Sequence, residues 1–101
     1  MSKTLRVLTL HLKRKWWEQI KSGAKTEELR QATAYNVKLI GHGQFDIVAV
    51  LLGYPKRTDA SRRMEFYWRG YQMKTVIHEE FGAFPREVIA IDLSAPVTAA
   101  T

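Results

Sequence analysis

The sequence predicts a single small domain of the α+β class, a mostly antiparallel β-barrel with one or two short helices. The 101 residues are enough for one domain with one core, so residues 1–101 form one unit. Five or six short segments alternate apolar and polar residues as strands do, whereas only two have helical spacing. A closed barrel is favoured because closure removes exposed strand edges. The core is expected within residues 5–93, followed by a frayed tail at 94–101.

The beginning of the chain predicts a strand followed by a helix. Residues 6–13 carry leucine at every second position from Leu8, so one face of this strand lies in the core. Residues 14–22 carry apolar residues at three- and four-residue spacing, which is typical of a helix with one buried face. Gly23 follows where helices end in a left-handed backbone, which glycine adopts without steric cost.

A second strand and a second helix come next. In residues 25–31, the strand period of two places Thr26, Glu28 and Arg30 on one face. Residues 33–40 predict a short helix whose first residue, a threonine, caps it. Three side chains of this helix are expected to face inward: Tyr35, Leu39 and Ile40.

The second half of the chain predicts the remaining strands. Residues 45–52 are apolar on both faces, which indicates the most buried strand. Residues 56–61 form a polar, basic loop. Residues 64–78 predict one long or bent strand, in which Gly70 marks a bulge or tight bend. Residues 87–93 alternate again and close the sheet.

The charge of the chain points to an anionic partner. There are 16 basic and 10 acidic residues, which gives a net charge of +6. The basic residues form clusters at positions 13–15, 56–57 and 62–63. Such clusters attract polyanions and phosphorylated ligands, so RNA or a nucleotide is a predicted partner. A well-solvated surface is the alternative.

Several classes of protein are excluded or not expected. The chain has no cysteine, which removes disulfides, thiolate metal sites and cysteine nucleophiles. His11, His42 and His78 lack ligand spacing, so no metal is expected. The sequence also lacks a glycine-rich phosphate loop, and no other cofactor is expected. No apolar run approaches the roughly 20 residues of a membrane span. The N-terminus also lacks the apolar core of a signal peptide, so we expect a soluble cytoplasmic protein with no membrane partner.

The distinctive segment of the chain holds Lys25, Glu28 and Arg30 just after the first helix. On a strand, Glu28 and Arg30 point to one side about 7 Å apart, and the long side chain of Lys25 reaches the same place. A lysine beside a carboxylate in a partly dry cleft is a proton-transfer pair, because burial and neighbouring charge tune the pKa of both groups. The alternative is a ladder of surface ion pairs, worth about 0–1 kcal/mol.

The run Gly23-x-Lys25-x-x-Glu28-x-Arg30 resembles the G-x-K-x-x-E-x-R motif of ASCH domains, small members of the PUA-like superfamily. The order of strands and helices around the motif is similar as well, and the resemblance covers residues 8–93. It implies a PUA-like β-barrel whose motif residues line a cleft suited to a base or a nucleotide.

The resemblance implies several functions. Some ASCH proteins were proposed as RNA-binding modules, a ribonuclease activity is attributed to others, and a bacterial branch of similar length hydrolyses N4-acetylcytidine to cytidine and acetate. That branch uses the motif lysine, a threonine nucleophile three residues later, and a glutamate from farther along. Lys25 matches the lysine, but Glu28 occupies the threonine position, and Thr26 stands only one residue after the lysine.

We therefore expect an amidohydrolase that removes the acyl group from N4-acylated cytidine without a metal. Glu28 would act as general base on a water, and Lys25 would stabilise the oxyanion or protonate the leaving amine. Arg30 would orient Glu28 and belong to the substrate-binding set. Three glutamates are candidates for a second carboxylate: Glu65, Glu79 and Glu80. Glu65 is preferred because it precedes an aromatic run on a strand that crosses the barrel.

The aromatic run at residues 66–71 is the second informative segment. Alternation places two of its rings in the core and presents Tyr67 and Arg69 on the other face, where they can stack a base and hold a phosphate. Tyr71 follows a glycine, and Tyr35 and Tyr54 lie at the predicted mouth, so all three are further substrate-binding candidates. For each ring, a place in the core is the alternative.

Two other functions stay open at this point. The chain is alternatively an RNA-binding module or ribonuclease that uses the same cleft, or a ligand sensor without turnover. The small size and Lys25 favour the hydrolase, whereas the net charge and the basic loop favour RNA. The sequence does not indicate an oligomeric state.

Overall fold

A computed structural model describes residues 4–97. In chain order its main elements are β1 (Val7–Leu12), α1 (Arg14–Lys21), β2 (Glu27–Gln31), α2 (Ala34–Gly41), β3 (Ile47–Leu52), β4 (Arg63–Tyr67), β5 (Tyr71–Val76) and β6 (Arg86–Asp92). Short 3₁₀ turns precede β4, at Ala60–Arg62, and β6, at Glu79–Phe81. The predicted strands and both predicted helices are therefore found at the predicted places, with one exception in the second half.

The six strands form two three-stranded sheets. The first has the strand order β1-β3-β4, and the second has the order β2-β6-β5. The pair β1 and β3 is parallel, and the other three pairs are antiparallel. Within residues 4–97, these pairings leave the two sheets separate and do not close them into one ring. The α+β class and the mostly antiparallel pairing are thus confirmed, and the closed barrel is not part of the observed pairing.

The chain that leaves β6 crosses from the second sheet to the first. The backbone N–H of Tyr67 donates to the carbonyl of Ala95 at 2.8 Å, and that of Val97 donates to Glu65 at 2.9 Å. This segment therefore runs along the free edge of β4. The predicted frayed tail is hydrogen-bonded at its beginning, and residues 98–101 lie outside the described part of the chain.

One hydrophobic core joins the two sheets and the helices. Val48 and Val50 of β3 have no exposed surface, as expected for a strand that is apolar on both faces. Ile89 and Ile91 of β6 belong to the same cluster, and α1 adds Trp17. Each fully buried side chain of this size contributes about 1.5–3 kcal/mol to stability. The core holds the ends of β1, β2 and α1 in fixed positions, and the candidate site lies there.

The predicted end of α1 and the predicted start of α2 are both confirmed. Gly23 follows α1 with a φ of 83°, the left-handed backbone expected after a helix. The hydroxyl of Thr33 accepts a hydrogen bond at 3.1 Å from the backbone N–H of Asn36, which caps α2. These two termini frame the segment that contains the motif.

The inward face predicted for α2 is mostly wrong. Ile40 is buried, but Leu39 is exposed and Tyr35 is 73% exposed. At about 100° per residue, Tyr35 lies about 140° around the helix from Ile40, and Leu39 lies about 100° away. A short surface helix that buries Ile40 therefore leaves both of the other side chains in solvent.

The long strand predicted at residues 64–78 is two strands in different sheets. β4 ends at Tyr67, and β5 begins at Tyr71. Gly70 lies between them with a φ of 86°, a backbone conformation that favours glycine, so the predicted bend is real and sharper than a bulge. None of the helices within residues 4–97 has the length and apolarity needed to cross a bilayer.

Candidate functional site

A cavity of about 430 Å³ lies where five parts of the chain meet. Its walls are the end of β1, the first turn of α1, the motif strand β2 with the residues before it, the first turn of α2, and the 3₁₀ turn before β6. A volume of this size is typical of small-ligand sites. The cavity lies at the motif, so its chemistry depends first on Lys25, Glu28 and Arg30, all of which line it.

Glu28 is buried between two cations in the wall of this cavity. It is only 6% exposed, although it carries a carboxylate. The ammonium of Lys25 donates to Glu28 Oε1 at 3.1 Å, and Arg30 Nη2 lies 3.0 Å from Glu28 Oε2. The strand period of two explains this geometry, because it places Glu28 and Arg30 on the same face of β2. A buried carboxylate needs such partners, since an unpaired charge in the interior is costly.

The two cations are themselves held in place by neighbouring groups. Arg30 Nη2 also donates to the carbonyl of His11 at 3.1 Å, which ties the motif strand to β1. The ammonium of Lys25 lies 4.9 Å from the ring centre of Trp16, a cation–π distance. Within residues 4–97, Arg30 Nε is buried without a hydrogen-bond partner. The site therefore presents a fixed lysine, carboxylate and arginine beside an aromatic ring.

Glu80 also lines this cavity, where it contacts Trp16. Its carboxylate accepts hydrogen bonds from Lys13 at 3.2 Å and from the indole N–H of Trp16 at 3.3 Å. The hydrogen bond from Lys13 is the largest influence and holds the pKa of the Glu80 carboxyl below its usual value, although burial acts in the other direction. The ring of His78 packs against that of Trp16, with the ring centres 4.9 Å apart. The 3₁₀ turn is thereby fastened to α1 across the cavity.

The preferred second carboxylate, Glu65, does not line the cavity that holds Glu28. It lies on β4 and pairs with Arg63 at 2.7 Å. Glu65 lines a different cavity of about 680 Å³, which Lys25 also borders. Glu79 pairs with Lys15 at 2.7 Å and does not line the cavity of Glu28 either. Of the three predicted glutamates, the structure brings Glu80 to this cavity.

The aromatic run and Tyr35 also lie away from Glu28. Tyr67 is exposed on β4, and Tyr35 is exposed on α2. Arg69 and Tyr71 line a separate cavity of about 220 Å³. For Tyr67, Arg69 and Tyr71 the reason is the sheet order. β4 and β5 lie at the edges of their sheets opposite to β1 and β2, which build the cavity of Glu28. The structure therefore does not bring these four residues to the cavity that Lys25 and Glu28 line.

His11 and Trp16 are among the residues that line the cavity but were not predicted as site residues. One signal was available for each. His11 alternates with Leu10 and Leu12 on β1 and so cannot share their core face. Trp16 and Trp17 are consecutive on α1, where neighbours lie about 100° apart, so a single narrow stripe cannot bury both. Trp17 is in the core, and Trp16 lines the cavity.

The arrangement can bind a polar, planar molecule and move a proton. It offers an aromatic ring, a carboxylate that accepts hydrogen bonds, and cations that can stabilise negative charge. Among residues 4–97 there is no group of three histidine, aspartate or glutamate side chains that could hold a metal ion.

The chain was compared with protein-family models and with curated proteins. No family model matches the chain, and no curated protein is similar enough to match it.

Proposed function

We propose that this chain is an amidohydrolase that removes the acyl group from N4-acylated cytidine. The observation that carries the proposal is the carboxylate of Glu28, buried in a cavity wall and contacted by both Lys25 and Arg30. These three residues are the ones that the ASCH motif picks out in the sequence. The cavity of about 430 Å³ is large enough for a nucleoside.

The proposed reaction uses one water and two side chains. Glu28 takes a proton from the water, and the resulting hydroxide attacks the carbonyl carbon of the acyl group. Lys25 donates to the oxyanion that forms on the carbonyl oxygen. Glu28 then gives its proton to N4 as the bond between the acyl carbon and N4 breaks. The products are cytidine and a carboxylic acid, and no covalent enzyme intermediate is needed.

Arg30 is proposed as a positioning residue. Its guanidinium contacts Glu28 and the carbonyl of His11, so it links the carboxylate to the backbone of β1. Trp16 is proposed to contact the bound cytosine, because its ring lines the cavity beside Lys25. Glu80, which lines the same cavity, is proposed to accept a hydrogen bond from the ligand.

We propose that the two sheets are the halves of a PUA-like barrel, and that the segment after β6 joins them. The hydrogen bonds from Tyr67 to Ala95 and from Val97 to Glu65 support this, because they pair the continuation of β6 with β4. A cytidine substrate also suits a cytoplasmic protein.

RNA binding or cleavage in the same cavity is the second candidate function. It is supported by the net charge of +6 and by the basic loop before β4. Salt separates the two functions, because affinity for a polyanion falls steeply with salt and turnover of a neutral nucleoside does not.

The test is to follow cytidine release from N4-acetylcytidine by chromatography at several salt concentrations. Lys25→Ala is expected to lower kcat/KM about 100- to 1,000-fold, the typical cost of losing an oxyanion donor. Lys74→Ala is the matched control, because Lys74 pairs with Glu27 at 2.8 Å outside this cavity. Wild-type turnover in Lys25→Ala would overturn the assignment. No turnover in any protein, with salt-sensitive RNA binding, would favour the second function.

A further inference from the structure

An exposed tyrosine extends the cavity wall to the outside of the protein. Tyr54 is 86% exposed, yet its ring stacks on His11 with ring centres 4.2 Å apart and planes 18° from parallel. His11 lines the cavity of Glu28. One ring of the stack therefore belongs to the cavity, and the other presents a flat apolar face to solvent. The function proposed above uses neither ring.

The backbone around Tyr54 is held in one position. His11 Nδ1 lies 2.8 Å from the carbonyl oxygen of Gly53. The backbone N–H of Gly53 donates to the carbonyl oxygen of Leu12 at 2.8 Å. Gly53 has a φ of 63°, which turns the chain sharply after β3. A ring held in this way loses little conformational entropy when a second ring stacks on it, and this favours binding.

Two positively charged residues follow Tyr54 in the sequence. Lys56 and Arg57 follow Tyr54 closely and are both exposed. Within residues 4–97, neither of them pairs with a carboxylate, in contrast to Lys13 and Lys15 of the cluster at 13–15. Unpaired cations two and three residues after an exposed aromatic ring are a combination suited to single-stranded nucleic acid, in which bases stack and phosphates need counter-charge.

We propose that Tyr54, stacked on His11, binds the base that neighbours an acylated cytosine in single-stranded RNA. The acylated cytosine occupies the cavity, and Lys56 and Arg57 contact the phosphates of the flanking nucleotide. The proposal rests on the function proposed above and names its substrate: a base within an RNA strand rather than a free nucleoside. Charge complementarity argues for this occupant, because a neutral nucleoside needs no cations beyond the cavity.

The test compares two substrates, N4-acetylcytidine and a hexaribonucleotide with one internal N4-acetylcytidine. In Tyr54→Ala, the ratio of kcat/KM for the oligonucleotide to that for the nucleoside should fall roughly 5- to 150-fold, since one stacked base is worth that much affinity. Tyr54→Phe keeps the ring and should keep most of the ratio. Phe84→Ala removes another exposed aromatic ring and is the control. An unchanged ratio in Tyr54→Ala would overturn the proposal.

A binding measurement separates this proposal from the proposed function. Fluorescein-labelled hexacytidylate RNA is titrated with each variant, and anisotropy is recorded from low to moderate salt. Weaker binding in Tyr54→Ala but not in Phe84→Ala supports the stacking site even if no hydrolysis occurs. Replacing Lys56 and Arg57 by alanine should reduce the slope of log affinity against log salt by about 1.4, about 0.7 per lost phosphate contact. The stacking proposal would be overturned if hexacytidylate bound Tyr54→Ala as tightly as the wild type. It would also be overturned if cytidine monophosphate bound the wild type as tightly as hexacytidylate does.

Discussion

Glu28→Gln is the substitution that probes the buried charge most directly. The variant keeps the shape of the side chain and removes its negative charge. In the wild type, Lys25 contacts one carboxylate oxygen at 3.1 Å and Arg30 contacts the other at 3.0 Å. The amide of glutamine can accept from one cation, but its NH₂ group then faces the other, so one contact becomes repulsive.

The expected loss of stability is large for one substitution. A hydrogen bond to a charged group contributes about 1.5–3 kcal/mol, and removing one partner of a buried pair costs up to about 3–5 kcal/mol. Relief of the desolvation of Glu28 offsets part of this. We therefore expect the free energy of unfolding to fall by about 2–4 kcal/mol, which leaves a protein of typical stability folded.

Urea denaturation of the wild type, Glu28→Gln and Glu27→Gln measures this loss. Glu27 is the matched control because it neighbours Glu28 and pairs with Lys74, but both members of that pair are more than one-third exposed. Its loss should cost only about 0–1 kcal/mol. Equal losses in the two variants would refute the reasoning, because they would show that the burial of Glu28 does not matter to its ion pairs.

Three further substitutions test other parts of the structure. Thr33→Ala removes the cap of α2 and should cost about 1 kcal/mol in urea denaturation, whereas Thr33→Ser should cost less. Gly70→Ala places a side chain at a φ of 86°, with open space around it, and should cost roughly 1–2 kcal/mol from backbone strain alone. Because the pKa of Glu80 is lowered in the folded state, its charge stabilises the fold above about pH 4.5, the usual value for this group. The stability difference between wild type and Glu80→Gln should therefore shrink as the pH falls through the lowered pKa, and a difference that grows would contradict this.

Local spacing was enough to predict the motif strand. The period of two put Glu28 and Arg30 on one face, and the structure places both against the same cavity. Gly23 marked the end of α1 because its position needs a left-handed backbone. These features depend on neighbours within a few residues, so the sequence contains them directly.

The partners of distant segments could not be predicted in this way. β4 and β5 are close in sequence but pair in different sheets, which carries Tyr67 and Arg69 away from the cavity. Glu80 lies in a short 3₁₀ turn without any periodic pattern. It reaches the site only because the turn packs against Trp16 and Lys13, which are far away along the chain. Strand order and turn docking depend on the whole fold, and spacing alone does not encode them.

The most direct test of the central claim is the rate of N4-acetylcytidine hydrolysis by Glu28→Gln and Glu27→Gln. Loss of a general base typically costs about 100- to 10,000-fold, so kcat should fall by that amount in Glu28→Gln and stay at the wild-type value in Glu27→Gln. Circular dichroism at the assay temperature shows that both variants are folded. Wild-type turnover by folded Glu28→Gln, or equal losses in the two variants, would contradict the claim that Glu28 performs the chemistry.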